Sequence, residues 1–157
     1  MSKLFIGRKD FADFPEFGLE NIAVKTDTGA YSSSIHCHHI ELVEKEGVKA
    51  IQFRLLDPNH EEYNEKLFCT KNYKVKTIKN SFGGTEDRYI IDTTIVLFGN
   101  IYPIKLSLSE RGEMKYPVLL GRELLNKTFN VDTDRTNLSF KNKQKSKKNN
   151  NENSNTI

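Results

Sequence analysis

Val24-Lys25-Thr26-Asp27-Thr28-Gly29-Ala30 is the most informative segment of the chain. Its lead-in alternates Ile22, Val24 and Thr26 as a strand should, then delivers a carboxylate, a hydroxyl and a glycine in succession. At a strand end, the Asp27 carboxylate can accept hydrogen bonds from backbone N–H groups of the following turn. Thr28 can lock that turn through its hydroxyl, and Gly29 lets another backbone or a substrate approach closely. An ordinary Asx-type turn has the same composition, so the triplet alone is a weak signal.

A second apolar segment, Val118-Leu119-Leu120-Gly121-Arg122-Glu123-Leu124-Leu125, gives it weight. Together the two segments resemble the retropepsin-like aspartic proteases. There an apolar strand carrying Asp-Thr-Gly-Ala is partnered by a later apolar-apolar-Gly-Arg element that leads into a short helix. The likeness is closer to one bacterial and archaeal branch, known as ATP-dependent zinc proteases or retropepsin-like endopeptidases. Its pattern is met here by Ile6-Gly7, by Lys25 to Ala30, by Ser81-Phe82-Gly83 with Arg88, and by Leu108-Ser109-Glu110-Arg111 through Met114, Tyr116-Pro117 and Arg122. The resemblance runs in order over residues 4–134.

The 157 residues suit one domain with a sizeable core, here taken as residues 1–140. The polar excess sits in residues 141–157, read as a disordered, solubilising Lys/Asn-rich tail. That tail holds five lysines against Glu152, a net +4; the whole chain is +3, which leaves the remainder at −1. Nucleic-acid binding is therefore not argued from the basic balance. No apolar run has signal-peptide length or approaches the roughly 18 residues of a membrane span. Cys37 and Cys69 lack a CxxC spacing and read as reduced thiols. A cytoplasmic protein without membrane contact is expected.

Along the chain, Leu4–Gly7 reads as a short strand and Asp10–Gly18 as a loop tucking down Phe11, Phe14 and Phe17. Ser32–Leu42 and Val48–Leu56 read as strands, the latter with Ile51, Phe53 and Leu55 on one face, and His60–Glu65 as a loop or helical turn. Leu67–Cys69 and Tyr73–Ile78 are further short strands. Tyr89–Phe98 and Ile101–Leu108 form a hairpin about Gly99-Asn100, with Pro103 marking an edge or bulge. Arg122–Asn126 is the helix; Phe129–Val131 and Leu138–Phe140 are closing strands around an Asp132–Asn137 turn. An all-β fold follows: a small, retropepsin-like closed barrel with one short C-terminal helix.

The resemblance implies an aspartic peptidase in which two neighbouring carboxylates share one proton. The chain supplies one Asp-Thr-Gly, and Asp132-Thr133-Asp134 reads as turn-forming acids. A symmetric homodimer is therefore expected, with the catalytic Asp27 of each copy meeting on the two-fold axis. By the same resemblance Thr28 bonds across the dimer, and Gly29, Ala30, Gly121 and Arg122 support the active-site loop. Tyr31 stands where viral relatives carry an acid partner for that arginine, so Asp132 is offered instead. Ser81, Gly83 and Gly84 suit a flap over the substrate. Arg88 and Arg111 suit an acidic peptide or surface salt bridges. Members of the branch trim oligoglutamate tails added by an ATP-grasp ligase, which implies an indirect link to such a partner.

His36-Cys37-His38-His39 raises a metal alternative. On a strand His36 and His38 share one face and Cys37 and His39 the other, so at most two ligands converge, against the three of a catalytic zinc. Neither a His-Glu-x-x-His helix nor a phosphate-binding Gly-rich loop occurs, so no cofactor is assigned. The alternatives to a peptidase are a non-catalytic peptide-binding or dimerisation module and, behind it, a zinc-dependent hydrolase.

Overall fold

A computed structural model describes residues 3–56, 66–79, 82–110 and 115–154, with side chains placed as far as residue 147. The elements are β1 (Leu4–Ile6), β2 (Lys9–Phe14), β3 (Leu19–Thr26), β4 (Ser33–Lys45), β5 (Val48–Leu55), β6 (Phe68–Thr70), β7 (Lys74–Lys79), β8 (Thr85–Leu97), β9 (Asn100–Ser109), β10 (Val118–Leu120), α1 (Arg122–Thr128), β11 (Phe129–Val131) and α2 (Leu138–Ser154). The hydrogen-bonded order β10-β3-β2-β8-β9-β4 returns to β10, so six strands close into a ring. β5 and β6 extend it beyond β4, and β7 pairs with β8. The expected all-β fold closing on itself is what forms.

Alternation puts one face of each strand against a common core. Ile22 and Val24 of β3, Ile35 of β4, Ile51 and Phe53 of β5, Ile95 and Leu97 of β8, Leu106 of β9 and Leu120 of β10 are all essentially unexposed. Each such side chain contributes roughly 1.5–3 kcal/mol by leaving water. β10 closes the ring with only three residues, pairing parallel to β3 and antiparallel to β4. A buried strand used on both edges needs apolar residues throughout, which Val118-Leu119-Leu120 supplies.

Pro103 lies opposite Thr94 of β8, whereas β4 takes up β9 only from Leu106 to Ser109. The ring nitrogen, which cannot donate, thus sits where β9 is still an edge. The hairpin turn falls one residue earlier than expected, on Phe98 and Gly99, whose φ values of 55° and 73° suit a two-residue turn.

Two expectations are corrected. Asp10–Gly18 contains a strand, β2, followed by a 3-10 turn over Pro15–Phe17. Its buried positions Asp10, Ala12 and Phe14 include an acid, so the apolar alternation is hidden in the sequence. Leu138–Phe140 is the first turn of α2, giving two α-helices where one was expected. Asp10 is the reason. Its carboxylate accepts the N–H groups of Ser139 (2.9 Å) and Phe140 (3.1 Å), two donors that a helix start leaves unpaired. Phe140 packs on Phe11 at 5.0 Å between ring centres, and Lys143 Nζ reaches Asp13 Oδ2 at 2.9 Å. The helix continues to Ser154, through the segment whose composition reads as a disordered tail. Past Lys143 its sequence offers no apolar side chain to bury.

Candidate active site

β3 ends at Thr26, and the chain then turns away from the ring. Thr26 is tied back to the opening of β2: its N–H donates to the Arg8 carbonyl at 3.0 Å, and its hydroxyl lies 3.1 Å from the carbonyls of Gly7 and Arg8. The Asp27 N–H donates to the Leu120 carbonyl at 2.8 Å, at the end of β10. The half-buried Asp27 carboxylate accepts the Gly29 N–H at 3.1 Å, and Ala30 N–H closes the turn on the Asp27 carbonyl at 3.3 Å. This is the strand-end arrangement expected from the sequence, and it fixes the carboxylate through backbone donors.

Gly121 and Arg122 support the loop from beneath. The Gly121 N–H donates to the buried Ser33 hydroxyl at 2.9 Å, and its Cα lies against the backbone of Tyr31 and Ser32. α1 starts there. Its first N–H groups, which lack helical partners, are taken by the loop: Arg122 N–H by the Ala30 carbonyl and Glu123 N–H by the Tyr31 carbonyl, both at 2.9 Å. The Arg122 guanidinium donates to the Thr28 carbonyl at 3.0 Å. That is a correction: Asp132 is not its partner. Asp132 instead accepts the Asp134 N–H at 3.0 Å and pairs with Arg135 at 3.2 Å, as turn-forming acids do.

Thr28 and Gly29 are exposed, and no hydrogen bond to the Thr28 hydroxyl occurs among the described residues. Gly83 and Gly84 lie in the connection of the β7–β8 hairpin, which pairs to Lys79 and Thr85 and stands off the ring; Gly83 has φ 82° and Phe82 is almost fully exposed. Arg88, on β8, pairs with Glu86 at 3.2 Å and borders a hollow of about 470 Å³ shared with Asp87 and Glu110. Ser81 and Arg111, like the loop expected at His60–Glu65, lie outside the described residues.

The histidine cluster falls on β4, where the alternation breaks between His38 and Glu41 and His39 adopts φ 56°. His36 and Cys37 are buried, Cys37 in the core, where loss of solvation pushes its thiol up to about 12. Among the described residues no three His, Cys, Asp or Glu side chains are grouped to hold a metal ion, so these residues do not fit a zinc centre. Sequence reasoning missed Ser33 and Thr26 as site residues. The serines after Ala30 and the polar end of an otherwise apolar strand were the available signals.

Among the described residues the site thus holds one carboxylate, fixed by backbone donors and open on one side. It can accept a proton from water, but it cannot at the same moment donate one to a carbonyl oxygen.

Comparison with known proteins gives consistent likenesses. A family model described as the retropepsin-like aspartic endopeptidase RimB matches residues 5–142. A Shewanella pealeana protein named "Probable alpha-L-glutamate ligase" is 36% identical over 132 residues, which are 83% of this chain and 29% of that protein. A Desulfotalea psychrophila protein of the same name is 32% identical over 84% of this chain and 28% of its own length. The chain therefore spans less than a third of these curated relatives. A solved structure from Legionella pneumophila, described as of unknown function, superposes with a TM-score of 0.69 at 27% identity, covering 88% of this chain and 99% of that one.

Proposed function

This chain belongs to the RimB-like family of retropepsin-like aspartic endopeptidases, and from that premise we propose that it hydrolyses peptide bonds with a water activated by two Asp27 carboxylates, one from each of two copies of the chain. The observation that carries this reading is the Asp27 loop, pinned through Leu120, Gly29 and Arg122 with its carboxylate half open. A second carboxylate must come from elsewhere, and a second copy supplies it with the same geometry.

In the dyad, like charges in close contact cannot both ionise, so one carboxyl stays protonated. The ionised Asp27 takes a proton from water as its oxygen attacks the scissile carbonyl carbon. The protonated Asp27 gives its proton to the carbonyl oxygen. Collapse of the tetrahedral species breaks the C–N bond, and the amine leaves with a proton returned by the dyad. The pair titrates as a unit, not as two separate acids. The β7–β8 hairpin, with Gly83, Gly84 and Arg88, is the segment suited to cover the bound peptide, and Ser81 and Arg111 are assigned to substrate binding by the family resemblance alone.

The substrate is an acidic peptide, with a glutamate-rich tail as the leading case. Support comes from the relatives named as glutamate ligases, in which a segment like this chain shares a polypeptide with a further two-thirds of sequence. An indirect association with such a ligase, in the cytoplasm, belongs to the same reading.

The test is cleavage by the purified chain, read by mass spectrometry, of an oligoglutamate-tailed peptide and an unmodified peptide library. Cleavage that is lost in Asp27→Asn and indifferent to a chelator is expected. Loss with chelator alone would move the chemistry to a metal. A folded dimer that binds these peptides without cutting them would leave a peptide-binding module.

A further inference from the structure

Arg8, Lys9, Lys25 and Lys115 line one hollow of about 450 Å³ together with Tyr116 and Leu119. Among the described residues no acid lines it and none of the four cations has a salt bridge. The Arg8 guanidinium donates to the Thr133 carbonyl, at 3.2 Å. The crowding is unfavourable in the isolated chain. Lys9 and Lys25 are directly opposite each other on β2 and β3, an arrangement that costs stability for like charges. Lys25 and Lys115 both lie over the Tyr116 ring, at 5.8 Å and 5.9 Å from its centre. A ring holding two ammonium groups softens their repulsion but leaves their charge unneutralised.

The hollow adjoins the catalytic loop. Lys25 lies two residues before Asp27 on β3, so its Cα is about 7 Å from that of Asp27. Leu119 is the β10 residue opposite Lys25, one position before the carbonyl that fixes Asp27. We infer that this hollow is the subsite that receives the carboxylate side chains of the substrate beside the scissile bond. The inference rests on the peptidase reading for its position and on the uncompensated charge for its chemistry.

A carboxylate suits the hollow better than a nucleic-acid backbone does. Phosphate-backbone binding draws on a track of many cations, whereas residues 1–140 carry a net −1, the whole chain's +3 less the +4 of its tail. The four cations are a local focus on a domain whose other residues sum to −5, the −1 of residues 1–140 less these four charges. Such a focus selects a short acidic segment and is weakened by salt.

The experiment uses the full-length Asp27→Asn chain, which keeps the hollow and removes turnover. Labelled hexaglutamyl and hexaglutaminyl peptides are titrated by fluorescence anisotropy at low and at raised salt. The glutamyl peptide is expected to bind more tightly, with the advantage shrinking in salt. Lys25→Gln and Lys115→Gln should each weaken glutamyl binding by roughly fivefold and leave glutaminyl binding unchanged. Lys115→Arg should retain binding, and Lys45→Gln, at a distant hairpin, should change nothing. Thermal melting shows that each variant is folded; Lys25→Gln relieves the repulsion from Lys9 and should not lower the midpoint.

Equal affinity for the two peptides, no affinity for either, or undiminished glutamyl binding in both lysine variants overturns the subsite. Failure of the peptidase reading looks different. The native chain would then cut neither peptide while the Asp27→Asn chain still bound the glutamyl one through Lys25 and Lys115.

Discussion

Gly121 lies so close beneath Tyr31 that a methyl group on its Cα would stand 2.5 Å from the Tyr31 carbonyl oxygen. Its φ of −90° is open to any residue, so the requirement is for space and not for conformational freedom. Gly121→Ala must push the Tyr31–Ser32 backbone away, at a cost of about 1–3 kcal/mol. Urea unfolding should register that loss, and cleavage should fall with it because the displaced segment carries the Asp27 loop. Gly18→Ala is the contrast, with open space but φ 66°: a smaller loss of stability and unchanged cleavage.

Arg122 separates support of the site from support of the fold. Its side chain is exposed and donates to the Thr28 carbonyl, so Arg122→Gln should cost no more than about 1 kcal/mol in unfolding. The Asp27 loop loses a tether, and kcat should drop with KM little changed. A stability loss of the same weight as the activity loss would count against this role. Arg122→Lys should recover only part of the rate, because a compact ammonium does not reproduce the reach of the guanidinium.

Asp10 gives the molecule a pH signature. Burial holds its carboxyl above the ordinary carboxylate range, despite hydrogen bonds from Ser139, Phe11 and Phe140. The folded chain therefore retains this proton at pH values where the unfolded chain has lost it. Its contribution to stability is full below the unfolded pKa and is lost as pH rises through the raised folded one. Asp10→Asn should flatten that decline in a denaturation series over acidic pH. Asp10→Ala should cost about 1–3 kcal/mol by orphaning two helix donors. Removing residues 148–157 should leave the midpoint unchanged, as expected of a polar segment whose one apolar residue is the terminal Ile157.

Thr28 tests the two-copy site. Its exposed hydroxyl is free to bond to the equivalent loop of a second copy. Specific activity should rise with protein concentration at high dilution, in step with dimer seen by sedimentation. Thr28→Ala should weaken association roughly tenfold, and Thr28→Ser should restore it. Full activity in a chain that sediments as a monomer would sink the shared dyad.

The sequence made the ring and the Asp27 loop legible because both are written in local pattern. Ile22 and Val24 alternate, Ile51, Phe53 and Leu55 share a face, and Asp27-Thr28-Gly29 has the chemistry of a strand end. What escaped was written in contacts between distant segments. Asp10 looks like a loop acid until the start of α2 arrives to use it as a cap, and that cap turns Leu138–Phe140 from strand to helix. The Arg122 partner was sought among carboxylates, whereas the structure offers a backbone carbonyl, which no composition reveals. The hollow of Arg8, Lys9, Lys25 and Lys115 likewise draws on three separate stretches of chain.

β10 enters the ring between β3 and β4, though it is made long after both. During synthesis Asp27 is made first, and the Leu120 carbonyl and Arg122 guanidinium that hold its loop follow only after β4 to β9 have been made. A nascent chain therefore has no fixed Asp27 loop until β10 and α1 have been made. Closing so long a connection also makes refolding slow for the size of the domain. Until β10 is made, Asp27 stands at the end of a strand whose later partner does not yet exist.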